Sequence, residues 1–345
     1  MKLSEIGEFG FIDRLSGKFK HLLLPEYLGI GDDCAIMPFN DEEDYVVTTD
    51  LLIEDIHFLK DRITPFQLGH KSLAVNLSDI AAMGAKPVGS FLSIGIPSET
   101  EVEYLDSFMK GYHELSQKYQ VPLLGGDTTK SKKYLTINVG IVGKCRRGKA
   151  RLRSMAQNDD IVCVTGFLGD SAGGLEVLLH NLPETKDNLK LIQSHHLPEP
   201  HINEGLWLAK QSEIHAMIDV SDGISSDLLH ILKASGKSAV VDLDKIPVSD
   251  KLKRVTLAEG WDLYKLVTSG GEDYVLLCTL KAGSFEPINT GFKATFDRDL
   301  IQIGKIIEGE PRINWTKNGE PHILNQHGFD HFNDLATWKS SIKGF

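Results

Sequence analysis

The sequence predicts an α+β N-terminal domain followed by an α/β C-terminal domain. A chain of 345 residues is longer than a single domain usually is, so two domains are expected. Strand-like and helix-like segments alternate along both halves. A polar, basic stretch at 148–160 separates two strand-like runs. We place the boundary in this stretch, which gives an N-terminal domain at 1–150 and a C-terminal domain at 151–345.

The N-terminal half is predicted to contain four strands and two helices. Apolar and β-branched runs predict strands in "DYVVTTD", "VGSFLSIGIP", "VPLLGGD" and "YLTINVGIVG". Longer segments with apolar residues at helical spacing predict helices in "PFQLGHKSLAVNLSDIAAMGA" and "EVEYLDSFMKGYHELSQKYQ".

The C-terminal half is predicted to begin with the strand "IVCVTG", followed by the glycine-rich segment "FLGDSAGG" and a helix. The strand "AMIDVSD", the helix "ISSDLLHILKAS" and the strand "SAVVDLD" come next, and "SGGEDYVLLCTL" passes from loop into strand. The glycine-rich segment has two interpretations. It either presents backbone N–H groups to a phosphate at a helix start, or provides small residues for close helix packing.

Composition and charge exclude several classes of protein. The chain is 41% hydrophobic and 25% charged and has no apolar run near the ~20 residues of a membrane span. Its N-terminus lacks the apolar centre of a secretory signal, so we expect a cytoplasmic protein. The net charge of −11 argues against nucleic-acid binding. The four cysteines form no CxxC pair and are interpreted as reduced thiols.

Acidic residues recur beside glycine or where a predicted strand ends. Each alone fits a turn or a helix N-cap, but ligand sites gather where strands end, and the repetition favours such a site. The residues are Asp32 and Asp33 in "GIGDDCA", Asp50 in "VTTD", Asp127 in "LLGGD", Asp219 and Asp222 in "IDVSDG", and Glu272 and Asp273 in "SGGED".

Asp79 differs from the others because it falls inside a helix that is predicted to be buried. Asn76 lies three residues earlier on the same helix face. A buried carboxylate needs a partner, so Asp79 faces either a cation, an arginine or a capping backbone group.

Clustered carboxylates serve either as an acid and base pair, as in glycoside hydrolysis, or as ligands of hard cations. Two acids suffice for the first chemistry. This chain offers more than two, together with the hydroxyls of Thr48 and Thr49, which suit Mg²⁺. Several Mg²⁺ ions imply a polyphosphate ligand and would bridge it to this acidic protein.

Common nucleotide-binding motifs do not account for such a ligand. The only Walker A candidate, "ILKASGKS", has Ile231 where the first glycine belongs and leads from helix into strand. We therefore interpret Gly236 as a helix C-cap. Protein-kinase motifs of the HRD and DFG type do not occur in the sequence.

Taken in order, the motifs resemble the thiamine-monophosphate kinase family. They are "GIGDDCA", "VTTD", "HKSLAVNLSDIAAMGAKP", "LLGGDTT", "IDVSDGISSDL" and "SGGEDYVLL". The family's superfamily includes aminoimidazole ribonucleotide synthetase, selenophosphate synthetase and HypE. The resemblance implies an aminoimidazole ribonucleotide synthetase-like two-domain architecture, a homodimer formed through the N-terminal domain, and ATP bound between the domains. It also implies Mg²⁺-dependent transfer of phosphate from ATP to thiamine phosphate, without a protein nucleophile.

The resemblance also implies individual site residues. Mg²⁺ ligands are expected at Asp33, Thr48, Thr49, Asp50, Asp79, Asp127, Asp219 and Asp222. ATP contacts are expected at Gly126, Asp127, Arg153 and Ser221, with Arg151 as an alternative to Arg153. Thiamine phosphate contacts are expected at His57, Glu272 and Phe329. An adenine contact expected on the helix at 101–120 cannot be assigned to a residue.

The residue types at and beside some of these positions suit such roles. Gly31 would let the backbone pass close to a phosphate, while Asp32 would hold the turn beside it. Glu272 suits either the cationic thiazolium or the aminopyrimidine of thiamine. His57 alone could equally be an ordinary surface or core histidine.

Other functions remain as alternatives. A selenophosphate synthetase would place a reactive cysteine or selenocysteine near a lysine in a glycine-rich N-terminal loop. HypE would end in a cysteine-bearing tail, whereas this chain ends in "WKSSIKGF". A non-catalytic Mg²⁺–nucleotide regulator would lack the acceptor-side residues His57 and Glu272.

Overall fold

The computed structural model describes residues 6–324, and its N-terminal half is built on a five-stranded sheet. The strands are β1 (Ala35–Pro38), β2 (Glu43–Ile53), β3 (Lys86–Pro97), β4 (Leu123–Ser131) and β5 (Thr136–Arg146). They lie in the order β1-β2-β5-β3-β4. Neighbouring strands are antiparallel except β3 and β4, which run parallel.

Three helices accompany this sheet: α1 (Gly7–Phe19), α2 (Pro65–Ala82) and α3 (Val102–Tyr119). The start of α2 is strongly specified, because Thr64 and Gln67 form a reciprocal capping box and Pro65 occupies the first turn. Most of α2 is buried, which confirms the prediction of a buried helix. Helix α1 was not predicted from the sequence.

Glycine lets α2 and α3 pack in direct backbone contact. A Cβ atom at Gly69 would lie 1.9 Å from the carbonyl oxygen of Phe108, and one at Gly111 would lie 1.8 Å from that of Phe66. No larger residue fits at either position without separating the helices. This contact fixes the position of α2, which carries several residues of the candidate site.

The C-terminal half is built on a seven-stranded sheet. Its strands are β6 (Ile161–Val164), β7 (Ile214–Asp219), β8 (Ser238–Asp242), β9 (Leu276–Leu280), β10 (Ile301–Ile307), β11 (Ile313–Lys317) and β12 (Glu320–His322). The order is β12-β11-β8-β10-β6-β9-β7. The pair β8 and β11 is parallel, whereas the other neighbours are antiparallel.

Seven helices belong to the described part of this half. They are α4 (Asp170–Leu179), α5 (Lys186–His196), α6 (Ile202–Ala209), α7 (Ile224–Ser235), α8 (Asp250–Glu259), α9 (Leu263–Ser269) and α10 (Phe285–Phe296). Gly236 ends α7 with a φ of 62°, so the predicted helix C-cap is confirmed. None of the helices between residues 6 and 324 has the length and apolar character that crossing a membrane requires.

Two acidic residues that were predicted to lie where a strand ends lie inside a strand instead, so the prediction is wrong for both. Asp50 lies inside β2, which continues to Ile53, and Asp127 lies inside β4, which continues to Ser131. Strand β2 pairs with β5 over its whole length, and β4 pairs with β3 across Asp127. Cross-strand pairing therefore extends both strands beyond the point where polar residues predicted their ends.

The glycine-rich segment at 167–174, which includes the first half of α4, serves packing. A Cβ atom at Gly174 would lie 2.2 Å from the carbonyl oxygen of Leu191. The carboxylate of Asp273 already accepts hydrogen bonds from the N–H groups of Gly169 (2.6 Å) and Ser171 (3.2 Å) at the helix start. Of the two interpretations of this segment, the structure supports close helix packing, because a side chain of the same chain occupies the N–H groups that a phosphate would need.

The two halves pack tightly against each other. A Cβ atom at Gly205 of α6 would lie 2.3 Å from the carbonyl oxygen of Ala81 in α2. The guanidinium of Arg151 donates to the carbonyl oxygens of Ala209 (2.7 Å) and Gln211 (2.8 Å). All four cysteines are free thiols, as predicted.

Candidate active site

A cavity of about 850 Å³ is lined by residues from both halves of the chain. Residues of β2 and α2 contribute from the N-terminal half, and residues of α4, α5 and α9 contribute from the C-terminal half. Eight of the predicted site residues line it: Thr49, Asp50, His57, Asp79, Asp219, Ser221, Asp222 and Glu272.

Three carboxylates from separate parts of the chain meet beside this cavity. Asp33 precedes β1, Asp79 lies on α2, and Asp219 ends β7. One ligand oxygen from each lies within 4.8 Å of the others. We call these three residues the carboxylate cluster. Its members had all been predicted as Mg²⁺ ligands.

Hydroxyl groups hold two members of the cluster. Thr48 Oγ1 donates a hydrogen bond to Asp79 Oδ2 at 2.5 Å. Ser78 Oγ donates to Asp219 Oδ2 at 2.6 Å. Asp79 thus pairs with a hydroxyl in the described structure, which does not support the alternative that it meets an arginine.

Asp50 lies next to the cluster on β2, where the α2 side chain of Asn76 fixes its backbone. The N–H of Asp50 donates to Asn76 Oδ1 at 3.0 Å. On the neighbouring strand, Asn138 Nδ2 donates to Thr49 Oγ1 at 2.8 Å and to the carbonyl oxygen of Asp50 at 3.0 Å. Hydrogen bonds from α2 and from β5 thus hold the strand segment "VTTD" at the edge of the cavity.

Burial and mutual repulsion raise the pKa values of these acids. Burial raises the pKa of Asp79 well above its usual range, and the charges of Asp50, Asp219 and Asp33 add to the shift. Burial and then Asp33 raise the pKa of Asp219 to about 8, and burial raises that of Asp50 to about 6. Carboxylates arranged in this way would be far more stable beside cations.

Arg153 supplies one positive charge to the cluster. Its guanidinium donates to Asp33 Oδ1 at 2.7 Å and lies 3.8 Å from Asp32 Oδ1. Asp32 also accepts from the N–H groups of Arg153 and Asp33, which fits its predicted role in holding the turn. Arg151 points to α6 instead, so Arg153 is the better placed of the two arginines for a ligand in the site.

The donor set fits Mg²⁺. Carboxylate and hydroxyl oxygens are the side-chain ligands that this ion prefers. Asp33 Oδ2 is buried and has no hydrogen-bond partner among the described residues, so one oxygen of the cluster is available to a cation. When ionised, Asp33, Asp79 and Asp219 together would carry more negative charge than Arg153 can balance.

The opposite end of the cavity contains residues that the sequence did not single out. Lys71 Nζ lies 2.9 Å from Glu272 Oε2, and His195 Nδ1 lies 3.2 Å from the same oxygen. Burial, followed by the charge of Lys71, lowers the pKa of His195 well below its usual range. The helical spacing of Lys71 and Asp79, eight residues apart on α2, is a sequence signal that could have identified Lys71.

A further buried acid, Asp227, was also missed. It lies on α7, is 2% exposed, and its Oδ2 has no hydrogen-bond partner among the described residues. Burial raises its pKa well above the usual range, and the neighbouring charges of Asp222 and Asp219 contribute. The sequence pattern that could have identified Asp227 is "SDGISSD", in which Asp227 follows Asp222 by little more than one helical turn.

The remaining predicted residues lie in different settings. His57 lines the cavity, and its Nδ1 accepts a hydrogen bond from the N–H of Ile53 at 3.1 Å. Gly126 and Asp127 lie on the exposed edge strand β4 and are not among the cavity-lining residues. A Cβ atom at Gly126 would lie 1.7 Å from the carbonyl oxygen of Leu92, so packing alone requires this glycine. Phe329 falls outside the described residues.

Comparison with protein families identifies both halves of the chain. Residues 31–145 match the family model of the N-terminal domain of AIR synthase related proteins. Residues 157–313 match the model of their C-terminal domain. The predicted two-part, aminoimidazole ribonucleotide synthetase-like fold is confirmed.

Individual relatives are more specific. The thiamine-monophosphate kinase of Escherichia coli K12 is 39% identical over 331 residues, which cover 94% of this chain and 98% of the relative. A solved structure described as AaThiL complexed with AMPPCP and TMP superposes with a TM-score of 0.83 at 32% identity, covering 96% of this chain and 99% of that one. The crystal structure of the thiamine-monophosphate kinase from Stenotrophomonas maltophilia K279a superposes with a TM-score of 0.75 at 34% identity, covering 91% of this chain and 98% of that one.

Proposed function

This chain belongs to the thiamine-monophosphate kinase family, and we propose that it transfers the γ-phosphoryl group of ATP to thiamine phosphate, forming thiamine diphosphate. The observation that carries this proposal is the meeting of the carboxylate cluster with His57 and Glu272 at one cavity. One end of the cavity suits metal-bound phosphates, and the other offers polar side chains for an organic group. Because ATP is the phosphoryl donor, we expect the reaction to take place in the cytoplasm.

Family membership and the composition of the site count against the alternatives. Identity of 39% over nearly the whole length favours a thiamine-monophosphate kinase over selenophosphate synthetase or HypE. A non-catalytic nucleotide-binding regulator has no use for acceptor-side residues. His57 and Glu272 both line the cavity, which favours an enzyme.

Mg²⁺ is the cofactor of this reaction. Asp33, Asp79 and Asp219 would hold one ion. The other predicted ligands, for several ions in all, are Thr48, Thr49, Asp50, Asp222 and Asp127, of which Asp127 lies outside the cavity lining. When bound, Mg²⁺ neutralises charge between the two phosphates and polarises the γ-phosphoryl group. The support from this chain is the cluster geometry and the buried, unpartnered oxygen of Asp33.

The protein need not supply a nucleophile or a general base. The acceptor is a phosphate whose second pKa is about 6, so at neutral pH it is largely ionised and can attack directly. The residues of the cavity instead position two anions against each other. Arg153 would take part from beside the carboxylate cluster, where a nucleotide phosphate would compete with Asp33 for its guanidinium.

Nucleotide and acceptor contacts would come from both halves of the chain. Ser221 lies next to Asp222 in the turn after β7, so one turn would contribute an ATP contact and a metal ligand. Gly126, Asp127 and Arg153 are the other expected ATP contacts. His57, Glu272 and Phe329 are the expected contacts of thiamine phosphate.

A homodimer formed through the N-terminal domain is part of the proposal. Strand β4 ends the N-terminal sheet, and all of its residues except the last are exposed. Apolar side chains beside this edge are also exposed, among them Phe91 (44%) and Leu124 (57%). An unpaired edge of this kind is a template for strand pairing with a second copy. Sedimentation should give a dimer for the wild type and a monomer for Leu124→Glu.

A direct assay tests the proposed reaction. Mass spectrometry should detect thiamine diphosphate after incubation with ATP, Mg²⁺ and thiamine phosphate. EDTA should abolish the product, and excess Mg²⁺ should restore it. Asp79→Asn should be inactive, whereas Asp41→Asn, at an exposed position, provides the matched control. Undiminished turnover in chelator would rule out the metal-dependent mechanism.

A further inference from the structure

One face of α2 connects the two ends of the cavity. Lys71, Val75 and Asp79 follow one another at four-residue spacing, and all three line the cavity. Lys71 and Asp79 are separated by eight residues, which corresponds to about 12 Å along a helix. Lys71 therefore lies well away from the carboxylate cluster and acts on a different part of any ligand.

Lys71 is buried against the carboxylate of Glu272. Its side chain is 1% exposed, whereas that of Glu272 is 27% exposed, and Lys71 Nζ lies 2.9 Å from Glu272 Oε2. A buried ammonium group is strongly unfavourable unless it is paired and hydrogen-bonded. The pair thus constrains Glu272 from one side while the other side of this residue remains open to the cavity.

The backbone also constrains Glu272. Its φ is 63°, in the left-handed region that residues other than glycine rarely adopt. The N–H of Glu272 donates to the carbonyl oxygen of Ser221 at 2.7 Å, and a Cβ atom at Gly271 would lie 2.2 Å from the same oxygen. Strained residues that are held in this way are typical of functional sites.

His195 completes the surroundings of this carboxylate. Its Nδ1 lies 3.2 Å from Glu272 Oε2 and 3.0 Å from Ser171 Oγ. Burial and the charge of Lys71 lower the pKa of His195 well below its usual range, so this histidine is expected to add no charge at neutral pH. Lys71 and Glu272 therefore cancel each other, and this end of the cavity has no net charge from these three residues.

We infer that Lys71 is a positioning residue for Glu272, fixing its carboxylate to accept a hydrogen bond from an uncharged part of the acceptor substrate. Lys71 and His195 both contact Oε2, so Oε1 is the oxygen that we expect to accept from the ligand. If the proposed function is correct, this ligand group is the amine of the aminopyrimidine rather than the cationic thiazolium. A cation would find its charge partner already neutralised by Lys71.

Steady-state kinetics of Lys71→Met tests this role. The KM for thiamine phosphate should rise about 10- to 100-fold, as expected for losing a well-placed hydrogen bond to a charged group, while the KM for ATP stays within about twofold. Lys237→Met is the matched control, because Lys237 also pairs with a glutamate, Glu308, at 2.8 Å but is not among the cavity-lining residues. It should leave both values near those of the wild type. Equal increases in both KM values for Lys71→Met would overturn the inference.

A double-mutant cycle shows whether Lys71 acts through Glu272. In a Glu272→Ala background, which removes the carboxylate altogether, Lys71→Met should cause no further loss of affinity for thiamine phosphate. Independent, multiplying losses would contradict a positioning role. Should the thermal melt show that Lys71→Met folds poorly, Lys71→Gln replaces it. Its amide can still donate to Glu272, so a smaller rise in the same KM is expected, and no rise in that KM would refute the role.

A substrate analogue distinguishes the two ring systems. Thiamine phosphate lacking the 4′-amino group should bind the wild type about tenfold or more weakly, and Lys71→Met should discriminate less between the two compounds. Equal binding of both compounds to the wild type would exclude the aminopyrimidine as the partner of Glu272. Failure of the wild type to phosphorylate thiamine phosphate would instead refute the proposed function, and with it this role of Lys71.

Discussion

Replacing Asp219 by asparagine should stabilise the metal-free protein and weaken its response to Mg²⁺. Ligand oxygens of Asp33, Asp79 and Asp219 lie within 4.8 Å of one another. Two unit charges at such a separation repel each other by about 3.5 kcal/mol at an effective dielectric constant of about 20. Asparagine removes one charge and keeps an oxygen that can accept the hydrogen bond from Ser78 Oγ, which is 2.6 Å long in the wild type.

The expected change in the free energy of unfolding depends on pH through the protonation of Asp219. Burial and Asp33 raise the pKa of Asp219 from 3.8 to about 8. Between these values the folded metal-free protein retains a proton that the unfolded chain has released, so its stability falls as the pH rises. A tenfold change in proton affinity corresponds to about 1.4 kcal/mol. The raised pKa of Asp219 can therefore lower the free energy of unfolding by at most about 5 kcal/mol at pH 8. Relaxation of the structure around the charge reduces this limit. We therefore expect the free energy of unfolding of Asp219→Asn to exceed that of the wild type by about 1–4 kcal/mol at pH 8 and by almost nothing near pH 4.

Denaturant unfolding in EDTA at several pH values measures this difference directly. Added Mg²⁺ should raise the free energy of unfolding of the wild type much more than that of Asp219→Asn. Asp41→Asn, at an exposed position, should show neither effect. A variant that is less stable than the wild type in EDTA at pH 8 would refute the electrostatic reasoning and would make Asp219 a structural residue.

Three further predictions concern other parts of the molecule. Asp33→Asn and Asp222→Asn should each lower turnover by several orders of magnitude with a thermal melt close to that of the wild type, and unfolding of either would indicate a structural carboxylate. Gly205→Ala should lower the melting temperature by about 2–6 °C, because its Cβ would lie 2.3 Å from the Ala81 carbonyl oxygen; an unchanged melt would contradict the close packing of α2 and α6. Burial, together with the charge of Arg298, lowers the pKa of His201 to about 3, so stability should fall below pH ~6.5 by up to about 1.4 kcal/mol per pH unit through this group. His201→Asn should show a shallower acid limb in denaturant unfolding, and an identical limb would exclude a neutral His201.

The structural environment of a residue could be predicted from the sequence where it depends on a single helix or strand. Asp79 was identified as a carboxylate on a buried helix because the apolar character of α2 extends around it, and the structure places it half-buried on that helix. Asp219 was placed correctly at the end of β7, since a short apolar strand there meets a glycine-containing turn. In both cases local pattern and tertiary environment agree.

Residues whose setting depends on distant partners could not be predicted in this way. Lys71 and Glu272 are 201 positions apart, and the sequence around neither residue indicates that the two form an ion pair. Arg153 and Asp33 are 120 positions apart, so the cation beside the carboxylate cluster was likewise absent from the local pattern. Asp50 was placed at a strand end, because the polar "TTD" gives no sign of the pairing that continues β2.

The path of the phosphoryl group is the most direct test of the proposed reaction. The enzyme is incubated with Mg²⁺, thiamine phosphate and ATP labelled at its γ-phosphate, then quenched with acid, and the label is followed in products and protein. All transferred label should appear in the terminal phosphate of thiamine diphosphate, with none on the chain, and unphosphorylated thiamine should be a poor acceptor. Label trapped on the protein, or efficient phosphorylation of free thiamine, would contradict direct transfer to the acceptor phosphate.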